Sequence, residues 1–550
     1  MKIKSKFLIF DSDALKNFHK RIFFSIIVFS CFYFLAIFRI ADIMIFTPNI
    51  VSSNKISIEV DRGKILDRNG TLLSANINGY SLYVDPIKIK NKLYLSKQLS
   101  NILTIDYNII YKKLLLDKEF VYLKRNISPK EYQKVIKLGE INLKTHPAKI
   151  RVYPHKNSAS HIVGYVDIDN KGQAGIENAY DNILSSGIDI FLSIDINLQN
   201  AVRNELKKIV DKFSADSGIA IIFNIKNGQL LSLNNYPDFN PNNINLFNNE
   251  NFKNMAFQSN YEMGSTFKPL TIAMGIEYKI IKKEMSFDVS KPIKNKIHDY
   301  HPFKGSLNIK EIIVKSSNIG TAKIAKKIGK EKQIDFFKKI GFFDRIESNF
   351  KEAALPLGNK NNWGELETMT IGYGHGFAIT PMHLALAYMA VLNDGKKIKA
   401  KFLLNESDHK TNTIISKSTS NYIKELLRAV VNETEYTGPR VKIDGYDVGG
   451  KTGTAELIKA NGVYDKNANR TLFVGSFPMF DPKFLIVTVI NNPKKIKSEN
   501  NNITGASVNA PLVKNIILRI IEIFNIPQLS SQQILNAAIT NNYSKSYVVN

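Results

Sequence analysis

Three short motifs carry the residues of this chain that are best suited to chemistry. The first, Ser265-Thr-Phe-Lys268, places a hydroxyl and an amine three positions apart, so that on a helix they share one face. A serine hydroxyl becomes a good nucleophile only when a base takes its proton, and Lys268 can be that base only when uncharged. Burial and a second nearby cation would lower the pKa of Lys268. The motif therefore predicts serine acyl transfer without a histidine base.

The surroundings of Ser265 distinguish it from chance matches to the same pattern. Gly264 precedes it and an apolar run follows Pro269, which is typical of a loop that enters a helix. A nucleophile at a helix start gains free backbone N–H groups and the positive end of the helix dipole. Ser-x-x-Lys recurs in this chain without that setting, at Ser348 and Ser407, and once more at Ser52.

The second motif, Ser316-Ser-Asn318, is weak by itself because Ser-x-Asn occurs several times in the chain. An ordinary helix-end pair is the alternative interpretation. As part of a catalytic cleft, Ser316 is expected to pass protons between two lysines, and Asn318 is expected to hold a substrate amide.

The third motif, Lys451-Thr-Gly-Thr454, is the most specific, since Lys-Thr-Gly occurs once. A strand that presents Lys451, Thr452 and Thr454 could bind a substrate carboxylate through charge and hydroxyl contacts. Gly453 is expected to leave room for substrate to pair along the strand edge. The backbone N–H groups of Ser265 and Thr454 form the expected oxyanion hole, in which each donor lowers the barrier by ~3 kcal/mol.

An uncharged stretch near the start of the sequence is predicted to anchor the chain in a membrane. Residues 22–38 would span about 26 Å as a helix, and a bilayer core is about 30 Å thick. Extension past Arg39 to Phe46 completes the span. Basic residues precede it, so residues 1–21 are expected in the cytoplasm and the rest outside. A cleaved signal peptide is disfavoured because the apolar run is too long and no small-x-small site follows.

Two exported modules are expected after an anchor at residues 22–46. Residues 47–190 contain a hairpin signal at Asn69-Gly70 and a Lys- and Leu-rich stretch, 88–140, with helical spacing that Pro129 interrupts. Residues 191–527 begin with a helix and a hairpin. Helices then dominate to about 435, followed by strands at 446–457, 471–477 and 484–490. A polar, flexible tail is expected over 528–550.

Composition limits the classes of partner. The 75 basic and 49 acidic residues give a formal net charge of +26, which favours anionic partners such as lipid or cell-wall polymer. No zinc-finger spacing or RNP-like motif is found, so nucleic acid is not an expected partner. The single cysteine, Cys31, excludes an intrachain disulfide. His298 and His301 lack an evident third ligand, so neither a metal nor another cofactor is expected.

The motifs together resemble those of class B penicillin-binding proteins, the membrane-anchored peptidoglycan D,D-transpeptidases. The resemblance covers about residues 57 to 525. In the first module it rests on RGKILDRNG, Arg151-Val-Tyr-Pro154, Gly164-Tyr165 and GQAGIE. In the second it rests on Ser193-Ile-Asp195, Tyr236-Pro237-x-Phe-Asn-Pro241-Asn242, GSTFKP, SSN, Gly372-Tyr-Gly-His-Gly376, Thr380-Pro381, GGKTGTAE and Phe473-Val-Gly475.

The resemblance implies an α+β chain with a mostly β pedestal of the dimerisation type and a transpeptidase domain, an antiparallel sheet flanked by helices. Its substrate would be a stem peptide ending in D-Ala-D-Ala. Ser265 would be acylated with loss of D-Ala, and the amine of a second stem would resolve the ester. Ser265, Lys268, Ser316, Asn318 and Lys451 would be catalytic, β-lactams would inhibit, and no cofactor would be needed.

Within the class, the compact motif spacing and the GYGHG segment are more similar to the septal type than to the elongation type. A SEDS-type glycosyltransferase and other division proteins are then the expected partners, at the bacterial inner membrane. The chain departs from the family pattern at Met263, at His383 and in the segment Tyr436-Thr-Gly-Pro-Arg440, none of which supplies a catalytic atom.

Two other classes of function share these motifs. A β-lactamase or carboxypeptidase would use water as acceptor, but it would need neither an anchor nor a pedestal of about 140 residues. A penicillin-sensing receptor would be expected to carry a substantial cytoplasmic or multi-span signalling part, whereas about 21 residues precede the anchor here. A scaffold role could coexist with catalysis.

Overall fold

A computed structural model of the protein describes residues 12–45, 60–246, 248–358, 363–407, 412–435, 437–458, 463–496, 502–530 and 532. Residues 1–11 of the expected cytoplasmic tail, the start of the expected pedestal at 47–59 and most of the expected flexible tail lie outside these ranges. The chain divides into two compact units, the first ending at Val60 and the second beginning at Asp61.

The first unit contains one long helix, Ser12–Ile45. Its segment Lys16–Asp42 is long and apolar enough to cross a membrane, and it is the only such helix among the described residues. Large apolar side chains such as Phe24, Phe29 and Phe34 are exposed around it, as a lipid-facing helix requires. Arg39 pairs with Asp42 at 2.7 Å, close to the end of the apolar segment.

The second unit starts with a five-stranded sheet. The hairpin predicted at Asn69-Gly70 is confirmed, since Ile65–Leu66 pairs antiparallel with Leu72–Val84. The latter strand also pairs with Val121–Ile127 and with Leu143–Val152. Ile190–Phe191 returns to the same sheet beside Ile65–Leu66, in parallel, although residue 191 is where the second module was expected to begin. Two short strands, Tyr165–Val166 and Gly172–Ala174, form a separate ribbon.

In the segment 88–140 the structure differs from the predicted helical stretch interrupted at Pro129. Its helices are Lys92–Leu103, Tyr107–Leu114 and Pro129–Ile136, but Val121–Ile127 is a strand. Pro129 begins a helix instead of interrupting one, because the missing N–H of proline costs nothing in the first turn. Ser128 and Glu131 complete a capping box there. Short helices follow at Ser160–Val163, Gly175–Ala179 and Asp181–Ser185.

A second five-stranded sheet, antiparallel throughout, lies at the centre of the remaining chain. Its strand order is Gly449–Ile458, Tyr464–Phe477, Phe484–Asn491, Ser217–Asn224 and Leu230–Tyr236. The third and fourth of these strands are buried along almost their whole length, so both faces of the sheet must be covered. The strand Gly449–Ile458 forms one edge.

Helices cover the two faces of this sheet. Alternate residues of the strand Ser217–Asn224 pack on opposite faces of the sheet. Ala220 and Ile222 lie in the core formed with the helices Ile196–Lys212 and Gly505–Ile523. Ile219 and Ile221 lie in the larger core on the other face, which the middle helices cover. The middle helices are Met255–Gln258, Lys268–Glu277, Ile309–Val314, Asn318–Ile328, Lys330–Ile340, Glu365–Gly372, Pro381–Leu392, Lys417–Glu433 and Gly438–Val441. The fold also contains two short antiparallel strand pairs. They are Tyr261–Glu262 with Ala378–Ile379 and Ser286–Asp288 with Ser306–Asn308.

Candidate active site

Ser265 lies on a single 3-10 turn, Gly264–Phe267, which leads directly into the helix Lys268–Glu277. We call Gly264–Phe267 the Ser265 turn. Ser265 is half-buried, whereas the next three residues are buried. The turn is held from inside, because Tyr388 Oη donates a hydrogen bond to the Thr266 carbonyl at 2.7 Å and Thr266 Oγ1 donates to the Met263 carbonyl at 2.7 Å. These two hydrogen bonds hold the backbone beneath Ser265, the predicted nucleophile, in place.

The edge strand Gly449–Ile458, here called the Lys451 strand, lies against the Ser265 turn. Gly264 has φ +50°, and a Cβ on it would come 2.8 Å from the Thr454 carbonyl oxygen. A Cβ on Gly453 would lie 3.0 Å from the Met263 carbonyl oxygen and 3.0 Å from Thr266 Cγ2. The missing side chain of Gly453 therefore also lets the strand approach the turn, while the expected room for substrate stays a prediction.

A glycine-rich loop supports the turn from the other side. The Gly264 N–H donates to the Gly374 carbonyl at 3.1 Å, and Thr271 Oγ1 donates to the Gly372 carbonyl at 2.6 Å. Gly374 has φ +91°, and a Cβ there would lie only 2.1 Å from the Gly264 carbonyl oxygen. The GYGHG segment found in the sequence therefore buttresses the nucleophile.

Two lysine amines meet at one serine hydroxyl. Lys268 Nζ donates to Ser316 Oγ at 3.1 Å and to the Ser316 carbonyl at 2.5 Å, while Lys451 Nζ donates to Ser316 Oγ at 3.1 Å. Ser316 adopts φ +57° in the turn before the helix Asn318–Ile328, which directs both its oxygens toward the amines. The hydrogen bonds of Lys268 Nζ go to Ser316 and not to Ser265. The structure thus brings Lys268, Ser316 and Lys451 together in one hydrogen-bonded group, here called the lysine relay, next to the Ser265 turn.

Burial sets the protonation of the two lysines. Lys268 is fully buried, and this burial, with the charge of Lys451 as a second cause, holds the pKa of Lys268 well below its usual value. Burial also lowers the pKa of Lys451, to about 8. The lowered pKa of Lys268 favours the uncharged form that a general base must have, while most Lys451 remains a cation at neutral pH. Asp299 opposes the shift of Lys268 without reversing it.

Asp299 organises the Ser316-Ser-Asn motif, and sequence reasoning missed it. Its carboxylate accepts hydrogen bonds from Ser317 Oγ at 2.7 Å, from the Ile319 N–H at 3.0 Å and from the Asn318 N–H. It therefore caps the helix Asn318–Ile328 and stabilises it through the helix dipole. The only sequence signal was an acidic residue in His298-Asp-Tyr-His-Pro, a segment that had been considered only as a metal site.

The remaining predicted residues are placed around this centre. Asn318 Nδ2 donates to the His298 carbonyl at 2.9 Å, which fixes its amide beside the relay. Thr452 and Thr454 point to the opposite face of their strand from Lys451, because strand side chains alternate. Thr454 Oγ1 accepts a hydrogen bond from the Gly505 N–H at 3.2 Å. Among the described residues, no three His, Cys, Asp or Glu side chains gather in a way that could hold a metal ion.

Comparison with known proteins agrees with this geometry. The penicillin binding protein transpeptidase domain matches residues 218–518, and the penicillin-binding protein dimerisation domain matches residues 57–209. A probable peptidoglycan D,D-transpeptidase FtsI of Caulobacter vibrioides is 30% identical over 479 residues, which are 84% of this chain and 81% of that protein. The peptidoglycan D,D-transpeptidase FtsI of Buchnera aphidicola subsp. Schizaphis graminum is 31% identical over 543 residues, which are 88% of this chain and 92% of that protein.

A solved structure extends the likeness to the fold. The crystal structure of a peptidoglycan synthetase from Bifidobacterium adolescentis superposes with a TM-score of 0.67 at 20% identity, covering 86% of this chain and 97% of that one. The domain matches, the two relatives and this fold agree with the motifs and the lysine relay. This chain therefore belongs to the class B penicillin-binding proteins, in which a dimerisation domain precedes the transpeptidase domain.

Proposed function

We propose that this protein cross-links peptidoglycan at the division septum, as a D,D-transpeptidase that forms an acyl-enzyme on Ser265. The observation that carries the proposal is the arrangement of Lys268, which is buried, has a strongly lowered pKa and directly follows the Ser265 turn, next to the Lys451 strand. The family membership supports the reaction, and the names of the FtsI relatives support the septal role.

The first half-reaction removes the terminal D-Ala of a donor stem. Lys268 Nζ takes the proton of Ser265 Oγ, and the oxygen attacks the carbonyl carbon between the two D-Ala residues. The backbone N–H groups of Ser265 and Thr454 stabilise the oxyanion. The C–N bond then breaks, and the leaving amine receives the proton held by Lys268 through the hydroxyl of Ser316, with which both lysines are hydrogen-bonded. D-Ala departs and an ester on Ser265 remains.

The second half-reaction forms the cross-link. An uncharged amine on a neighbouring stem attacks the ester carbonyl, and the new C–N bond replaces the C–O bond to Ser265. The amine loses a proton to Lys268, and Ser265 Oγ recovers one, so the enzyme returns to its starting state. The hydroxyl groups of Thr452 and Thr454 bind the donor carboxylate, Lys451, which is mostly charged at neutral pH, attracts it from the other face of the strand, and Asn318 holds a donor amide.

We also propose how the chain is placed in the cell. The segment Lys16–Asp42 crosses the bacterial inner membrane once, with the basic residues Lys16, Lys20 and Arg21 on the cytoplasmic side and the catalytic domain in the periplasm. A SEDS-type glycosyltransferase and other division proteins are the proposed partners, and β-lactams are the proposed inhibitors because they mimic D-Ala-D-Ala.

The test is cross-linking in vitro by the full chain in detergent, on glycan polymerised from lipid-linked precursor. Wild type should form cross-linked muropeptides that mass spectrometry detects, and Ser265→Ala should form none. Cross-links made equally by Ser265→Ala would contradict the nucleophile. For the septal role, depletion should produce filaments and a fluorescent fusion should gather at mid-cell, whereas rounded cells would indicate the elongation role.

A further inference from the structure

A short segment, residues 297–301, brings one carboxylate to the start of the helix Asn318–Ile328. Ile297 anchors the segment, since its side chain is buried in the core and its backbone N–H and carbonyl both pair, at 3.1 Å, with the residue four positions earlier. Two positions later, Asp299 is half-buried, whereas its two neighbours in sequence are exposed. Asp299 is therefore the residue of this stretch that is turned toward the protein.

The carboxylate of Asp299 is hydrogen-bonded but not neutralised. It accepts hydrogen bonds from Ser317 Oγ at 2.7 Å, from the Ile319 N–H at 3.0 Å and from the Asn318 N–H, all of which are uncharged donors. Within the part of the chain that the structure describes, no lysine, arginine or histidine forms an ion pair with it. Uncharged donors do not cancel a charge, so the charge of Asp299 acts on other groups nearby.

The same hydrogen bonds fix the backbone next to the lysine relay. Ser317, which follows Ser316, is fully buried, and its Oγ accepts a hydrogen bond from the Gly320 N–H at 2.9 Å. Ser316 has φ +57°, an unfavourable conformation for a residue with a side chain, which persists only where the surrounding contacts hold it. Asp299 supplies such contacts to the three residues that follow Ser316.

Three titratable groups, each from a different element, interact with the amine of Lys268. Burial and then the charge of Lys451 lower the pKa of Lys268, whereas the charge of Asp299 raises it. His375, in the loop around Gly374, has a pKa that burial chiefly lowers and to whose lowering the charge of Lys268 contributes. Among the described residues, Asp299 is thus the carboxylate that favours the charged form of this base.

The acylation step creates a second positive charge beside Lys451. When Lys268 Nζ takes the proton of Ser265 Oγ, an uncharged amine becomes an ammonium group. Two ammonium groups then share the hydroxyl of Ser316. Like charges repel each other, and more strongly in a buried site than in water. A negative charge that is already in place lowers the energy of this arrangement without reorganisation during the reaction.

We propose that Asp299 is a positioning residue for acylation, and that its charge stabilises the ammonium form of Lys268 that appears when this base takes the proton of the nucleophile. Its hydrogen bonds hold the backbone after Ser316, to which that ammonium group donates. Asp299 remains a carboxylate throughout, because the proton on Lys268 passes to the leaving amine through the Ser316 hydroxyl. The inference rests on the proposed transpeptidation and adds to it a charge from outside the lysine relay.

The test measures the second-order rate of acylation by a fluorescent penicillin for the full chain in detergent, wild type against Asp299→Asn. Rates are taken from about pH 8 to about pH 4.5, reached by a brief pH jump. Because the reaction needs uncharged Lys268, the rate declines as pH falls through the pKa of that group.

Loss of the Asp299 charge lowers the pKa of Lys268, so the acid limb of Asp299→Asn should lie about one pH unit below that of wild type. At the plateau the variant should react about 10- to 100-fold more slowly, because the base is weaker and less well placed. This deficit should shrink about tenfold as pH falls through both limbs. A purely structural role would lower the rate equally at every pH.

Two variants that keep the carboxylate separate charge from structure. Ser317→Ala removes one hydrogen-bond donor to Asp299, so any loss of rate should be the same at every pH. Asp299→Glu keeps the charge, and its acid limb should coincide with that of wild type. Asp299→Ser is a second uncharged variant and should repeat the shift, since a serine hydroxyl can still accept a backbone N–H at a helix start.

A deficit of Asp299→Asn and Asp299→Ser that is equal at every pH would overturn the proposal, as would rates equal to that of wild type. Failure of the proposed function shows separately, in Ser265→Ala. Acylation that persists in Ser265→Ala would reject the proposed nucleophile. Acylation that requires Ser265 but shows no pH-dependent deficit in the uncharged variants would reject the role of Asp299 alone.

Discussion

At the residue scale, burial lowers the pKa of both lysines of the site, and the charge of Lys451 lowers that of Lys268 further. Both are buried, but the pKa of Lys268 is also lowered by the charge of Lys451, so that Lys268 deprotonates first. Ser316 Oγ connects the two amines at 3.1 Å each. This difference supports the proposed roles of Lys268 as the base and of Lys451 as the charge that attracts a carboxylate.

Replacing Lys268 by methionine should abolish acylation while preserving the fold. The change removes the base but keeps the buried volume, so the second-order rate of acylation by a fluorescent penicillin should fall by about 100- to 10,000-fold. The melting temperature should stay equal or rise, since a buried amine is lost. Lys282→Met, at an exposed position nearby, is the control and should react as wild type does. A Lys268→Met rate within threefold of wild type would rule out this base.

The acylation rate should depend on pH with two limbs. As pH falls through the lowered pKa of Lys268, the base gains a proton and the rate declines; above that pKa the rate reaches a plateau. As pH rises past about 8, Lys451 loses its charge and a substrate carboxylate is bound less well. Lys451→Arg should remove the alkaline limb because guanidinium stays charged. An alkaline limb that persists in Lys451→Arg would assign it to another group.

Sequence alone identified the residues of the relay, because their types and motif order are tied to the chemistry. It could not identify Asp299, since a carboxylate that caps a helix belongs to no local pattern until the chain has folded. It also could not show that a side chain at Gly453 would crowd Met263 and Thr266, because these residues come nearly 190 positions earlier in the chain.

At the element scale, the position of the nucleophile depends on close backbone approaches among three elements. The Ser265 turn, the Lys451 strand and the loop around Gly374 meet where Cβ atoms are missing. Adding a single methyl group at such a contact forces the backbone to shift, because backbone atoms cannot change rotamer to make room.

Gly374→Ala should therefore lower stability and the acylation rate far more than Gly305→Ala, although both replacements put alanine at a positive φ. Both Gly374, at φ +91°, and Gly305, at φ +76°, adopt left-handed conformations, but only Gly374 has backbone within 4 Å of a new Cβ. Gly305→Ala should cost about 1–2 kcal/mol and leave acylation intact. Gly374→Ala should cost more in chemical denaturation and slow penicillin acylation at least tenfold. Equal acylation rates for the two variants would contradict the role of the loop.

The elements with strong periodicity were predictable, but the strand inside the Lys-rich stretch was not. The predicted apolar positions Leu198, Val202, Leu206 and Ile209 are all buried in the helix Ile196–Lys212. In Val121–Ile127 the lysine and arginine between the buried positions hid the alternation of a strand, whose pairing with Leu72–Val84 is a tertiary choice. Ser128 and Glu131 were an available signal that Pro129 begins a helix.

At the scale of the whole molecule, a network of buried ion pairs joins three parts of the chain that are distant in sequence. Arg62 Nε and Arg151 Nε each lie 2.8 Å from Glu177, and Arg62 Nη1 lies 2.7 Å from Asp181. The side chains of the two arginines and Glu177 are at most 4% exposed. These residues come from three of the motifs that indicated the family.

Glu177→Gln should destabilise the second unit strongly, because it leaves the buried guanidinium of Arg151 without a carboxylate partner and that of Arg62 with Asp181 alone. The expected cost is about 3–5 kcal/mol in the free energy of unfolding. Asp61→Asn breaks an exposed pair with Lys149 and should cost under about 1 kcal/mol. Urea unfolding followed by fluorescence measures both. A Glu177→Gln cost as small as that of Asp61→Asn would show that the network contributes little.

The central claim is that Ser265 is acylated because an uncharged Lys268 takes its proton. The most direct measurement is mass spectrometry of peptides from the full chain after reaction with benzylpenicillin at neutral pH. The account predicts one penicilloyl adduct, on the peptide containing Ser265, that is absent from Ser265→Ala and nearly absent from Lys268→Met. An adduct on another residue, or an undiminished adduct in Lys268→Met, would contradict it.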